Sequence, residues 1–362
     1  MKEKQPKGFE IFLGAGAGCN MNCRYCFAGH QDCSQTQANP YVNEEVLLDK
    51  ISKKNIAPNS KIVIWGGEPL ANEDALRAAI KFLRKHWAQT IQIPTNGFAL
   101  NDEWIKFFND NNIMISISHD GPGQKYRGYD FFQDESYINK LRQVKRFSSC
   151  HYVLHRYNTD IKAINRYFLD FSDRLGRCVG ATGGLIRHTN PYTAEFIPRK
   201  SDGSLQKTCE SAVYTVSEGL AGNNMQLNTW LLRKFGKYLR LALFGPREWS
   251  QPFCDSTKIL CIGLDGKEFL CHAEAELLAS KPEVVTTTED NFKFSQMCLN
   301  CDMFQLCGGV CAAIPNDEYR KGNCEINKAW HSTLYAYTLK ALEYLGEGKI
   351  KEIINGEGEH IG

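Results

Sequence analysis

Fifteen of the 362 residues are cysteine, and their spacing restricts this chain more than any other feature. Disulfide frameworks belong chiefly to small secreted domains. This chain is long, and its basic start, residues 1–8, lacks a following apolar signal region, so it reads as a cytoplasmic protein with reduced thiols. Clustered cysteines in that setting point to metal ligation. Hydrophobic residues make up 43% and charged residues 23%, an ordinary globular balance that excludes disorder as the dominant state. Lys and Arg number 43 against 41 Asp and Glu, so there is no electrostatic case for a nucleic-acid or membrane partner. No apolar run is long enough to span a bilayer.

Short β-branched runs at Phe9–Leu13, Ile62–Trp65, Ile91–Ile93, Ile113–Ser118 and Tyr152–Leu154 predict strands. Between them lie helical patterns. One starts near a cap at Asn72 and places Leu76, Ile80, Leu83 and Trp87 on one face; others carry Tyr137, Leu141 and Val144, and Ile161, Ile164, Phe168, Phe171 and Leu175. Alternating strands and helices argue for a parallel sheet with its chemistry at the carboxyl ends of the strands. After about Gly184 the pattern changes. Residues 186–208 read as loop, helices follow at 209–221 and 226–244, residues 246–324 read as irregular, and a last helix runs from about 327 to 345.

The loop after the first strand carries Cys19, Cys23 and Cys26 as C-x3-C-x2-C. Three thiolates there suit a [4Fe–4S] cluster with one open iron. Structural zinc needs a fourth ligand, from His30 or Cys33. The C-terminal third carries Cys254, Cys261, Cys271, Cys298, Cys301, Cys307, Cys311 and Cys324, enough for two four-ligand centres. A double zinc ribbon is the alternative there, and a non-enzymatic zinc-binding module the corresponding function. Cys33, Cys150, Cys178 and Cys209 have no partner spacing, and Cys150 and Cys178 read as small buried hydrophobes.

The N-terminal motif, with Tyr25 before its last cysteine, resembles the radical S-adenosylmethionine (SAM) superfamily. Gly66-Gly67-Glu68-Pro69 after the second strand is similar to that family's GGEP motif, whose backbone holds the methionine amino group. Thr95-Asn96-Gly97 ends the third strand. Ser118-His119-Asp120-Gly121-Pro122 ends the fourth, with His119 where leucine is usual. The resemblance implies a partial (β/α)6 TIM-like barrel, a SAM cofactor on the open iron, and a 5′-deoxyadenosyl radical that abstracts a substrate hydrogen. Tyr25, Gly66, Gly67, Glu68, Pro69, Asn96 and Ser118 are its implied cofactor contacts, although packing alone also accounts for Tyr25. Arg127 and Arg142 are candidates for the arginine that binds the SAM carboxylate.

The later cysteines resemble the SPASM domain appended to many radical enzymes, a small α+β module rich in cysteine. That implies two auxiliary [4Fe–4S] clusters, one on Cys254, Cys261, Cys271 and Cys311, the other on Cys298, Cys301, Cys307 and Cys324, hence three clusters in all. The expected organisation is a barrel at 1–185, a bridging region at 186–250, the SPASM domain at 251–330 and a C-terminal helix and tail at 331–362. His272, beside Cys271, is a candidate base or a hydrogen-bond donor to a cluster sulfur. The resemblance implies a maturase that crosslinks, oxidises or cleaves a ribosomally made peptide. A sulfatase-type formylglycine maturase is the alternative; such maturases carry aspartate at the place of His272. Cys19 lies too early for a preceding leader-gripping domain, so either a separate leader-binding protein supplies that grip or the barrel and the 186–250 region bind the peptide alone; an external one-electron donor is the other expected partner.

Overall fold

The computed structural model describes residues 8–12, 19–27, 41–53, 61–222, 229–245, 259–269, 298, 300–308, 314 and 317–356. Six strands run parallel and pair in sequence order: β1 (Gly8–Phe12), β2 (Lys61–Trp65), β3 (Ile91–Thr95), β4 (Ile113–Ser118), β5 (Phe147–Leu154) and β6 (Gly180–Leu185). Helices α1 (Glu44–Lys53), α2 (Glu73–His86), α3 (Asp102–Asp110), α4 (Glu135–Arg142) and α5 (Ile161–Leu175) return the chain between them. This is a partial (β/α)6 barrel, and every strand-to-helix loop opens at one end.

Side chains alternate across the sheet with the two-residue period of a strand. Ile91 and Ile93 of β3, Ile113, Ile115 and Ile117 of β4, and Cys150, Tyr152 and Leu154 of β5 enter the main core under the helices. Their neighbours Gln92, Met114, Ser116, Ser118, His151 and Val153 face the other way. On α2, Leu76, Ala79, Ile80 and Leu83 form a fully buried stripe, each large member stabilising by about 1.5–3 kcal/mol. Acidic Glu73 and Asp74 open this helix and Arg84 and Lys85 close it, matching its dipole. Asn72 stands at the cap, but its amide donates to the Glu68 carbonyl at 2.9 Å instead of capping the helix.

Past β6 come α6 (Pro191–Ala194), α7 (Ser204–Leu220), α8 (Thr229–Phe244), α9 (Phe304–Cys307), α10 (Asp317–Leu342) and α11 (Glu347–Gly356). α10 packs on α7 and α8, with Trp330 stacked on Trp230 at 6.2 Å. The expected irregular stretch contains β7 (Ile259–Gly263), which pairs parallel with β1 and turns back into β8 (Glu268–Phe269). The four apolar residues Ile259–Ile262 make a strand because β1 offers an open edge. Strand β6 also escapes a reading by propensity: Gly-Ala-Thr-Gly-Gly-Leu is a poor strand former held by its pairing with β5. The last long helix begins ten residues earlier than expected, at Asp317 instead of 327. Cys178 is exposed, correcting its reading as a buried hydrophobe, because it falls in the turn between α5 and β6. Among the described residues no helix is long and apolar enough to cross a membrane.

Gly183 sits opposite Tyr152 in the β5–β6 register, and a Cβ there would collide with the tyrosine ring. That ring is 2% exposed, and its hydroxyl accepts from Trp230 Nε1 at 3.1 Å, so it has little freedom to move. Gly183→Ala is expected to destabilise by about 1–3 kcal/mol, read as a lower urea midpoint. The additional change Tyr152→Ala should reduce that increment by removing the collision; an unchanged midpoint in the single variant would refute the contact.

Candidate functional site

The three N-terminal cysteines lie in the loop beyond β1, at the carboxyl end of the sheet. Backbone bonds shape it: Cys26 N–H donates to the Cys23 carbonyl at 3.0 Å, and Arg24 N–H to the Tyr126 carbonyl at 3.0 Å. Burial, then Glu68, pushes the Cys19 thiol up, and Cys23 and Cys26 push it further. The Cys23 thiol is also raised by burial, while neighbouring Arg127 pulls it down. The Asn96 amide donates to Cys19 Sγ at 3.7 Å and to Asn20 Oδ1 at 2.7 Å.

Glu68 is 2% exposed, and its carboxylate ties β2 to β3. One oxygen accepts from Thr95 Oγ1 at 2.5 Å and Leu70 N–H at 3.0 Å; the other accepts from Asn96 N–H at 2.6 Å. Burial raises its pKa and these bonds oppose the rise. Pro69 opens the short helical turn Pro69–Ala71 that Glu68 caps. Gly66 is buried, Gly67 is exposed and Ser118 is half-buried at the end of β4.

Strand alternation separates His119 from Asp120. His119 points outward, stacks on Phe132 at 4.1 Å and meets Asp130 at 3.0 Å from Nε2, and its Nδ1 accepts from Gly121 N–H. Burial holds its pKa down. A flat polar ring fills the apolar slot that leucine occupies in the related motif. Asp120 points inward and is fully buried. It accepts from Val153 N–H at 2.9 Å and from the Tyr25 hydroxyl, with Arg127 at 3.8 Å and His155 at 3.9 Å. Arg127 also donates to the Tyr25 hydroxyl at 3.2 Å. The Tyr25 ring packs against His155 and Phe196. Arg142 lies elsewhere, on the outer side of α4 with Glu135 at 3.0 Å and the Arg174 carbonyl at 2.5 Å. The sequence reading did not name Asp120 or His155 as site residues. The available signal was position, since both stand at carboxyl ends of strands.

Cys298, Cys301, Cys307 and Cys324 form a second group. The Cys324 thiol is pushed up to about 11, by burial and then by Cys298, Cys307 and Cys301. The sulfurs of Cys298, Cys301 and Cys307 thus lie near enough to Cys324 to disfavour its thiolate, a penalty that ligation of a metal centre would remove. Lys234 lies near Cys307, and burial lowers its pKa to about 8. Among the described residues no three or more His, Cys, Asp or Glu side chains group closely enough to hold a single metal ion. By donor chemistry the two sets, all thiols, fit iron–sulfur clusters. Cys261 is fully buried on β7 against Trp65 and Phe269. Cys254, Cys271, Cys311 and His272 lie outside the described residues.

The His155 ring accepts at Nδ1 from Tyr157 N–H at 3.2 Å, which leaves the proton of the neutral ring on Nε2. Burial lowers its pKa to about 4 against the pull of Asp120. The unfolded imidazole takes up its proton near pH 6.5. This contribution to stability is therefore complete above about pH 6.5. It is lost as pH falls toward about 4, an effect of about 3 kcal/mol. His155→Asn should flatten the urea-midpoint profile in that window, and an unaltered slope would show that His155 is not the titrating group.

Residues 15–146 match the Radical SAM superfamily. A cysteine-type anaerobic sulfatase-maturating enzyme of Clostridium novyi is 29% identical over 167 residues, 44% of this chain and 40% of that protein's own length. The structure of native anSMEcpe with bound AdoMet and the Cp18Cys peptide superposes with a TM-score of 0.60 at 18% identity, covering 93% of this chain and 99% of that one. Streptococcus suis SuiB bound to the precursor peptide SuiA superposes with a TM-score of 0.54 at 14% identity, covering 87% and 76%. The two superpositions establish the fold, and the family match covers strands β2–β4 and the cysteine loop that build the site. Over residues 15–146, which carry the three-cysteine loop and strands β2–β4, the chain is similar to radical SAM enzymes.

Proposed function

We propose that this chain is a radical SAM/SPASM maturase that modifies a ribosomally made peptide. The observation that carries this reading is the pairing of two thiol sets: three cysteines beside Arg127 and Asn96 at the open end of the sheet, and three more that lie around Cys324. A [4Fe–4S] cluster on the first set, when bound, supplies the electron that cleaves SAM.

The chain's own residues bind and orient. Arg127, held by Tyr25 and Asp120, is the group for the SAM carboxylate, and Ser118 stands on the same inward face. The backbone of Gly66 and Gly67, braced by Glu68 and Pro69, is placed for the amino group. Asn96 steadies the Cys19 turn by its bonds to sulfur and Asn20. The second set and Cys261 belong to auxiliary clusters, three clusters in all, within a SPASM region at 251–330 that follows a barrel at 1–185 and a bridging region at 186–250. Residues 331–356 hold the rest of α10 and all of α11. His272 is the candidate for either a base or a hydrogen-bond donor to a cluster sulfur, the leader is held by a separate protein or by the barrel and the 186–250 region alone, and an external donor is the source of electrons. A second reading, sulfatase maturation, is favoured by the similarity to the Clostridium novyi sulfatase-maturating enzyme.

Anaerobically reconstituted protein should be brown, with broad absorption near about 400 nm and about twelve irons per chain. Cys23→Ala should abolish 5′-deoxyadenosine formation from SAM and dithionite. Cys324→Ala should retain SAM cleavage and lose peptide product. Normal turnover by both variants would overturn the assigned roles. Mass spectrometry with a cysteine-bearing sulfatase peptide separates the readings, since formylglycine formation selects the second.

Arg127→Met should weaken SAM binding by about 10–100-fold, the loss of a charged hydrogen-bonding partner, whereas Arg142→Met should leave it unchanged in calorimetry. The opposite ranking would move the carboxylate site.

A further inference from the structure

The helix bearing Cys324 is attached to the loop bearing Cys26 by a continuous run of buried polar groups. Asn323, the residue before Cys324, brackets the backbone of His188 with its amide and also donates from Nδ2 to the Tyr319 carbonyl at 2.7 Å within its own helix. Its Oδ1 accepts from His188 N–H at 3.0 Å, and its Nδ2 donates to the His188 carbonyl at 2.8 Å. His188 Nδ1 meets Thr193 Oγ1 at 2.9 Å. Thr193 gives its one hydroxyl proton to the Asn190 carbonyl at 2.6 Å, so the imidazole is the donor in that bond. Asn190 Nδ2 then donates to the Cys26 carbonyl at 2.9 Å and the Phe27 carbonyl at 3.0 Å, and Thr189 Oγ1 donates to the Phe27 carbonyl at 2.7 Å.

All five side chains are buried: His188, Thr189, Asn190, Thr193 and Asn323 are each 9% exposed or less. The close approach depends on Gly322, where a Cβ would stand 3.0 Å from His188 Cδ2, and on Tyr319, whose ring meets the imidazole edge at 4.5 Å. Such a network stabilises only if each member is satisfied, and these bonds lead in succession from one cysteine segment toward the other. The apolar packing of α10 on α7 and α8 already holds the helix to the body of the protein. The polar run adds directional, short-range constraints at the residues adjoining two ligands.

We propose that His188 and Asn323 are positioning residues that set the second four-cysteine centre at a defined distance and orientation from the three-cysteine centre. This rests on both sets carrying iron–sulfur clusters, the reading given above. Electron exchange between two centres is steeply sensitive to their separation, so a substitution here acts on transfer between them without touching either ligand set.

The test uses the full chain, reconstituted with iron and sulfide and reduced with dithionite, and needs no peptide. Electron paramagnetic resonance reads the spin–spin coupling between the reduced clusters, and potentiometry reads the midpoint of each. Asn323→Ala and Thr193→Val should retain the iron content of the unaltered protein and weaken the coupling at least twofold, and Thr193→Ser should restore it. Gly322→Ala, which leaves all the hydrogen-bonding groups in place, should weaken it too by forcing the helix away from His188, and supplies the result if Asn323→Ala does not fold. Variants with full iron and unaltered coupling would overturn the proposal, as would selective loss of iron from the second centre, which would make the network a ligand-loop support only. Iron-free protein in the unaltered chain would instead refute the cluster reading itself.

Discussion

Two buried carboxylates hold the working end of this barrel together. A carboxylate removed from water is costly unless its oxygens are hydrogen-bonded. Glu68 meets that demand with two backbone N–H groups and a threonine hydroxyl, and in doing so locks the ends of β2 and β3 side by side. Asp120 does the same one strand further, drawing in Val153 N–H, the Tyr25 hydroxyl and the neighbouring Arg127. The cysteine loop is then fixed from both sides, by Asn96 against Cys19 and by Arg127 near Cys23.

The region after the barrel is built onto it. β7 extends the same sheet by pairing with β1, so Cys261 enters from a strand in register with Glu10. Asn323 and His188 join the far helix to the loop after β6. Positions on or adjoining cysteines of separate elements are thus referred to one rigid sheet, which holds those thiols at fixed separations.

How readily each element could be read followed from how local its cause is. The β3 and β4 strands and helices α2 and α5 were legible because alternation and the 3.6-residue stripe are properties of short windows. Strands β6 and β7 were not, since one is glycine-rich and the other lies in an irregular setting, and both exist by pairing with a distant neighbour. Among site residues, the cysteine spacing stood out at once. Choosing Arg127 over Arg142 required knowing which turn of chain faces Cys23. His155 carried no motif at all, and it is placed by the inward parity of β5 continuing one step past the strand.

The order of residues alone therefore determined the thiol inventory: how many, in what groups, beside which glycine- and aspartate-bearing turns. Those are facts of covalent spacing, which folding cannot alter. Only the tertiary structure decided which side of the sheet His119 and Asp120 occupy, which arginine approaches the thiols, and that Asn323 reaches His188 across 135 positions of chain. Burial and long-range pairing make those choices, because the energy of a buried charge or an unpaired strand edge depends on neighbours that are near in space and remote in sequence.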